Sequence, residues 1–269
     1  MDMGLIKRAF AQNGVELWGV CEFAPLAAYL LPCRAASRLP EEPQSVLVAL
    51  FPYRFPEDET PRNLSRYASV NDYHPAVAGV LEGVADTLRV AYPQNTFAVF
   101  CDNSPIPEVP AAALAGLGVV GDNGLLIHPA FGSYVFIGEI VTDLPLTPTG
   151  GEIVTCPHCG RCAAACPAGC VRGDKAGCLS ALTQQKGELT AEQQRLIRAG
   201  GLVWGCDTCQ EACPLNNGAK IAPHPCFTDY HPWLTEEMLD SDDLRQQAYG
   251  WRGAAPLRRN LAILKEAGE

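Results

Sequence analysis

The chain has 269 residues, of which 48% are hydrophobic and 19% are charged, a composition typical of a folded globular protein. Its net charge of −10 argues against broad contact with nucleic acid, because proteins bind nucleic acid mainly through Lys and Arg side chains that contact phosphates. No run reaches the eighteen or so apolar residues of a membrane helix, and the N-terminus lacks the pattern of a signal peptide. We therefore expect a soluble cytoplasmic protein with no membrane partner.

The first 145 residues alternate between predicted helices and strands, a pattern that favours a layered α/β domain. In chain order the predicted elements are a helix over 2–13, a strand over 45–51, a helix over 74–90, a strand over 96–101, a short helix over 111–117 and a strand over 132–143. The glycines between Gly116 and Gly121 spell G-x-G-x-x-G, but a predicted helix precedes them instead of a strand. We interpret them as a tight bend and not as a dinucleotide site.

The composition changes near Leu144, where a linker rich in Pro and Gly precedes a cluster of cysteines. From Cys226 onward the chain lacks cysteine and is predicted to be helical. These changes predict three parts, with boundaries at 1–145, 146–226 and 227–269.

Thirteen cysteines are many for a cytoplasmic chain, in which disulfides rarely persist, so we expect metal or redox chemistry. Residues 156–167 read C-P-H-C-G-R-C-A-A-A-C-P, which is the C-x2-C-x2-C-x3-C-P run of bacterial ferredoxins. Short gaps let the chain wrap a [4Fe–4S] cube, and the final proline turns the chain away. A second array, Cys206, Cys209 and Cys213, also ends in Cys-Pro but has Val203 where a fourth cysteine is expected.

The missing ligand must come from elsewhere, and Cys170 and Cys178 are the nearest candidates. We favour Cys178, because Cys170 follows Cys166 so closely that it would crowd the first loop. Crossed ligation then predicts two [4Fe–4S] clusters, one held by Cys156, Cys159, Cys162 and Cys213, the other by Cys166, Cys178, Cys206 and Cys209. Structural zinc sites are the alternative, but they require neither the third cysteine of the first run nor two Cys-Pro endings. The remaining cysteines are interpreted as small buried hydrophobic residues: Cys21, Cys33, Cys101, Cys170 and Cys226.

Several segments together resemble the epoxyqueuosine reductase family. They are S-R-Y-A-S-V-N-D-Y-H (65–74), D-N-S-P (102–105), A-G-L-G-V-V-G-D-N-G-L-L-I-H-P-A-F-G-S-Y-V-F-I-G-E-I-V-T-D (115–143), both cysteine arrays and W-R-G-A-A-P-L-R-R-N-L-A-I-L (251–264). The resemblance implies an α+β protein: a nitroreductase-like α/β domain for cobalamin and substrate (1–145), a ferredoxin-like double [4Fe–4S] domain (146–226) and a helical tail (227–269). It also favours Cys178 as the eighth ligand, since the family has its isolated cysteine in a segment similar to K-A-G-C-L-S-A-L-T.

The resemblance further implies a reaction, the two-electron deoxygenation of epoxyqueuosine in tRNA to queuosine. Electrons from a donor such as a ferredoxin or flavodoxin would pass through the two clusters to the cobalt of cobalamin. Asp102 matches the family's proton donor, although Asp also caps turns of this kind. Tyr67, Tyr73, His74 and Ser104 are predicted to contact the cofactor or substrate, and His128 is interpreted as structural.

The sequence also departs from the family. Positions that are commonly basic there are Asn71, Val109, Leu114 and Asp122 here. We expect a short form of the family, without the helical repeats of its long form. Fewer positive charges weaken the expectation of a tRNA partner, so tRNA and a free modified nucleoside both stay open. Two other readings stay open as well: a related corrinoid iron–sulfur reductase for another small molecule or a partner protein, and an electron-transfer module without catalytic activity.

Overall fold

The computed structural model describes residues 3–59 and 61–265, and the chain forms two compact units. The first unit comprises the chain up to Pro52, His74–Pro157 and His224–Cys226. The second comprises Tyr53–Tyr73, His158–Pro223 and the chain from Phe227 onward. This division differs from the three predicted parts, because the segment after Pro52 and the tail pack with the cysteine-rich segment. Leu64, Trp204 and Tyr249, one from each of these segments, share a buried core.

The first unit contains most of the predicted helices and strands. Its elements are α1 (Met3–Gln12), β1 (Trp18–Glu22), β2 (Ser45–Pro52), α2 (Tyr73–Ala91), β3 (Phe97–Cys101), α3 (Glu108–Leu114), β4 (Val119–Val120), β5 (Leu126–Ile127) and β6 (Val135–Thr142). The predicted helix over 2–13 corresponds to α1, apart from residue 2, which lies outside the described residues.

Four strands form one sheet in the order β1-β2-β6-β3, and every neighbouring pair is antiparallel. All eight residues of β2 are buried, as the apolar run from Ser45 predicts for a central strand. The α+β class is confirmed. The alternation of helices and strands does not produce the parallel pairing that is typical of α/β domains.

Helices cover both faces of this sheet. At Gly138 on β6, an added Cβ would lie 2.6 Å from Leu81 and 2.7 Å from Val77, so α2 approaches the strand too closely for any larger residue. On the opposite face, the alanines of α3 pack with Val46 and Val48 of β2 in one core. Residue 139 of β6 points to this second face because side chains alternate along a strand.

The helix α3 begins three residues before the predicted start at residue 111. Pro110 lies in the first turn of α3, where a missing N–H costs no hydrogen bond. The proline therefore belongs to the start of the helix and does not exclude residues 108–110 from it. The glycine-rich segment that follows forms the hairpin β4–β5, closed by a hydrogen bond from the Gly121 N–H to the Leu125 carbonyl. The predicted tight bend is confirmed.

The second unit is mainly helical. Its helices are α4 (Arg161–Ala165), α5 (Leu179–Gln184), α6 (Ala191–Gly200), α7 (Thr208–Glu211) and α8 (Ala254–Lys265). The predicted tail over 227–269 contains three short 3₁₀ helices and one α-helix within its described part. Residues 237–252 form three short 3₁₀ turns, and α8 is the one α-helix between 227 and 265.

Buried Asn260 joins three parts of the second unit. It lies on α8, and its Nδ2 donates to the carbonyl of Thr183 in α5 and to that of Val203, each at 2.8 Å. Thr190 and Gln193 form a capping box at the start of α6, and Gly201 ends that helix in the left-handed conformation. Val203, which occupies the position of the missing cysteine, is fully buried in the core of this unit.

Candidate functional site

The loop after β3 carries the predicted proton donor. Asp102 has φ +60°, a conformation in which Asp and Asn are enriched among residues other than glycine. Its side chain is 60% exposed, and Oδ2 lies 3.0 Å from Nε2 of His74 near the start of α2. The structure therefore pairs two of the predicted site residues, and both are partly open to solvent.

Glu108, the first residue of α3, holds the loop from the other side. Its Oε1 accepts a hydrogen bond from the backbone N–H of Asp102 at 2.7 Å. Burial of the carboxyl group, with repulsion from Asp102 second, raises the pKa of Glu108 to about 7, although the Asp102 N–H and His74 act in the opposite direction. Glu108 is therefore partly protonated near neutral pH.

A second carboxyl group, the fully buried Glu139, lies on β6 behind the same loop. Its Oε2 accepts a hydrogen bond of 2.6 Å from Ser104 Oγ, which itself accepts from the N–H of Ile106. Oε1 of Glu139 has no hydrogen-bond partner among the described residues. Burial, followed by repulsion from Glu108, raises the pKa of Glu139 well above its ordinary value. The Ser104 hydroxyl group is thus hydrogen-bonded to a buried side chain of the protein. Its contact with a cofactor stays a prediction.

Neither glutamate is among the residues predicted from the sequence, although each has a local signal. Glu139 is the one charged residue of the buried strand β6, where an ionised side chain would be costly. Glu108 follows Asp102 by six residues and begins a helix, a position that favours an acidic side chain. Glu139 belongs to the site through its contact with Ser104, which is distant in sequence. Glu108 belongs to it through the Asp102 N–H, a contact that depends on the shape of the loop after β3.

Tyr67 lies in the second unit, and Tyr73, the first residue of α2, is the last residue of that segment of the second unit. The hydroxyl group of Tyr67 is enclosed and lies 3.4 Å from Gln184 Nε2, and burial raises the pKa of Tyr67 to about 12. Tyr73 is half-buried. His128 accepts hydrogen bonds at Nδ1 from the N–H groups of Ala130 and Phe131, which confirms its structural interpretation.

The first cysteine run begins against the hairpin of the first unit and continues in the second. The N–H of Cys156 donates to the Val120 carbonyl at 2.9 Å. Left-handed backbone at His158 and Gly160 turns the chain sharply on either side of Cys159. Cys162 is buried on α4, and Cys166 follows the end of that helix. All thirteen cysteines are free thiols, so every predicted ligand is available.

Both candidates for the eighth ligand lie close to the predicted second set. The Sγ atoms of Cys166 and Cys170 are 3.5 Å apart, and the Cys170 thiol also hydrogen-bonds with Cys178. Cys178 in turn interacts electrostatically with Cys206. Cys170 is buried, as the interpretation as a small hydrophobic residue predicts, but it contacts thiols and not only apolar groups. The choice of Cys178 stays a prediction.

An ion cluster supports the second array. Asp207, which follows Cys206, is buried, and its Oδ2 accepts from the backbone N–H of Arg66 at 3.0 Å and lies 3.3 Å from Arg62. Glu211 at the end of α7 pairs with the same two arginines. Burial raises the pKa of Asp207, whereas the arginines lower that of Glu211 despite partial burial. This cluster ties the segment before α2 to the cysteine array, and no pattern in the sequence predicts it.

Two family models match separate parts of the chain. Residues 155–216 match the model described as "4Fe-4S double cluster binding domain". Residues 34–103 match the model described as "Epoxyqueuosine reductase QueG, DUF1730". The chain thus carries a double [4Fe–4S] cluster domain, as its cysteine spacing predicts. None of the described helices has the length and apolar character needed to cross a membrane.

Curated relatives and solved structures extend the likeness over the chain. An epoxyqueuosine reductase of Lactococcus garvieae is 31% identical over 212 residues, which are 74% of this chain and 60% of that protein. The chain therefore spans about three fifths of that relative. A crystal structure of epoxyqueuosine reductase with an epoxyqueuosine-modified stem loop of tRNA-Tyr superposes with a TM-score of 0.81 at 24% identity, covering 97% of this chain and 80% of that one.

A further relative shares more of its length with this chain. The epoxyqueuosine reductase of Leadbetterella byssophila is 30% identical over 234 residues, which are 82% of this chain and 76% of that protein. The chain therefore belongs to the epoxyqueuosine reductase family.

Proposed function

We propose that this chain is a cobalamin-dependent iron–sulfur reductase that removes the epoxide oxygen of epoxyqueuosine to give queuosine. The observation that carries the proposal is the presence, in one chain, of a ferredoxin-type double array and of an exposed aspartate paired with a histidine. The array provides for one-electron carriers, and the Asp102–His74 pair provides a proton donor. Both are needed when oxygen leaves a substrate as water.

The clusters are proposed to be held by the two crossed sets of four cysteines given above. The donor set fits, because free thiols become thiolates when they bind iron, and eight are present in the expected order. The left-handed backbone beside Cys159 provides the sharp turns that a short-gap wrap requires. A low-potential donor protein such as a ferredoxin or flavodoxin is proposed to reduce the clusters.

Cobalamin is proposed as the cofactor on which the electrons converge. When bound, it supplies a strongly reducing cobalt centre that the amino acids themselves cannot provide. Of the predicted contacts, Tyr73 and His74 are half-buried and have surface left for a ligand. The hydroxyl groups of Tyr67 and Ser104 are instead hydrogen-bonded within the protein, so these two residues support the site from within.

The substrate is proposed to be epoxyqueuosine in tRNA, in line with the relative solved with a modified stem loop. A second candidate is a free nucleoside or another small molecule. It is favoured by the net charge of −10 and by the pairing of cations near the C-terminus, where Arg258 meets Asp240 and Lys265 meets Glu236. Paired cations offer less attraction to phosphate than free ones do.

The test uses the full chain, reconstituted without oxygen and supplied with cobalamin. The proposal predicts a bound corrinoid spectrum and conversion of epoxyqueuosine in a tRNA stem loop by the reduced protein. Conversion of the free nucleoside alone would favour the second candidate. Clusters without corrinoid binding and without conversion of either substrate would refute the proposal and leave an electron-transfer module.

A further inference from the structure

The proposed reaction consumes two protons, whereas the site exposes one carboxyl donor. Both C–O bonds of the epoxide break, a C=C bond forms, and the oxygen leaves as water. The balance requires two electrons, which the reduced clusters supply through the cofactor, and two protons. Asp102 can give one proton and is then a carboxylate. A second proton must reach the same place before the oxygen can leave as water.

Glu108 is the carboxyl group best placed to supply it. It accepts a hydrogen bond from the Asp102 N–H, so it is fixed to the loop that carries the donor. The titratable groups that face it come from three other elements: Asp102 in the loop, His74 on α2 and Glu139 on β6. Burial and the negative charge of Asp102 disfavour an ionised Glu108, whereas the Asp102 N–H and His74 favour it. Partial burial and the charge of Asp102 together outweigh these two contacts and favour a neutral Glu108.

We propose that Glu108 is a proton store that recharges Asp102 during each turnover. After Asp102 has protonated the departing oxygen, Glu108 passes its own proton to the Asp102 carboxylate and becomes ionised. Asp102 then delivers the second proton, water leaves, and solvent reprotonates both groups. Glu108 itself does not touch the substrate in this scheme. The inference rests on the proposed function, since a reaction that consumes no protons would need no store.

A purely structural role for Glu108 makes a different prediction. Its observed hydrogen bond uses only Oε1 as an acceptor, and the amide oxygen of glutamine can accept the same bond. Glu108→Gln therefore preserves the loop anchor and removes the proton. Glu42→Gln, at an exposed position in the first unit, is the matched control for the substitution itself.

The experiment combines an infrared pH titration with turnover measurements on the cluster-loaded, cobalamin-loaded chain. The wild type and Glu42→Gln should show a carboxylic acid band that is lost with a midpoint near pH 7, and Glu108→Gln should lack it. Multiple-turnover kcat of the wild type should fall as the pH rises through the same range. In Glu108→Gln we expect kcat at pH 6 to be lower than in the wild type by a factor of up to about ten, and not to fall as the pH rises. A small buffer acid should partly restore the kcat of this variant.

The outcomes separate the store from the proposed function. Glu108→Gln with the wild-type rate and pH profile would overturn the store, and so would a wild type without the infrared transition. A wild type that shows the transition but converts no epoxyqueuosine would overturn the proposed function, while the protonated state of Glu108 would stand.

Discussion

The raised pKa of the half-buried Glu108 also leads to a quantitative prediction about stability. Burial raises its pKa from 4.5 to about 7, so the folded chain binds this proton more tightly than the unfolded chain does. Stability must then fall as the pH rises from about 4.5 to about 7 and level off above that range. Glu108→Gln cannot titrate, and its amide is of nearly the same size. The variant should therefore lose this part of the pH dependence.

The size of the effect follows from the shift. At about 1.4 kcal/mol per pH unit, a rise from 4.5 to about 7 is worth about 3 kcal/mol. For a chain of this length, 1 kcal/mol moves the unfolding midpoint by about 2–4 °C. The difference in unfolding midpoint between Glu108→Gln and the wild type should therefore change by about 6–12 °C between pH 4 and pH 8. The variant gains relative to the wild type on the alkaline side.

The assay is anaerobic thermal unfolding of the cluster-loaded chain at several pH values. Wild type, Glu108→Gln and the control Glu42→Gln are followed by circular dichroism at one scan rate. Parallel curves for wild type and Glu108→Gln would refute the reasoning, because they would mean that Glu108 titrates alike in the folded and unfolded chain. The control should follow the wild type throughout.

The remaining predictions concern the clusters, the donor and the ion cluster. Cys178→Ala should lower the iron content by about half and Cys170→Ala should not; iron loss in the Cys170 variant instead would reassign the eighth ligand. Asp102→Asn, which tolerates the same positive φ, should keep both cofactors and lose at least about a hundredfold in kcat, and an unchanged rate would leave Asp102 as a turn residue. Arg66→Met should cost about 3 kcal/mol, seen as a lower unfolding midpoint, because buried Asp207 loses a partner; an unchanged midpoint would contradict this.

Local patterns predict much of the first unit. The strand β2 is a continuous apolar run, and α2 has apolar residues at helical spacing, so burial on one or both faces determines each of them. The helix α6 is not predicted, although Thr190 and Gln193 form its capping box and Gly201 ends it. Its single fully buried residue, Ile197, leaves little hydrophobic periodicity to detect.

The site is predictable only in part, for a physical reason. Spacing along the chain is sufficient to identify a cysteine wrap, since the ligands of one turn are neighbours in sequence. The pKa values of Glu108 and Glu139 instead depend on burial and on charges that the fold brings close. The pairing of Asp102 with His74 likewise joins the end of a strand to the start of a helix. Such contacts leave no periodic signal in the sequence.

The most direct test of the account is the metal content of the chain purified without oxygen. Two [4Fe–4S] clusters predict about eight irons and about eight sulfides per chain. Zinc in place of iron, with no acid-labile sulfide, would contradict the assignment of the eight cysteines and with it the proposed reductase.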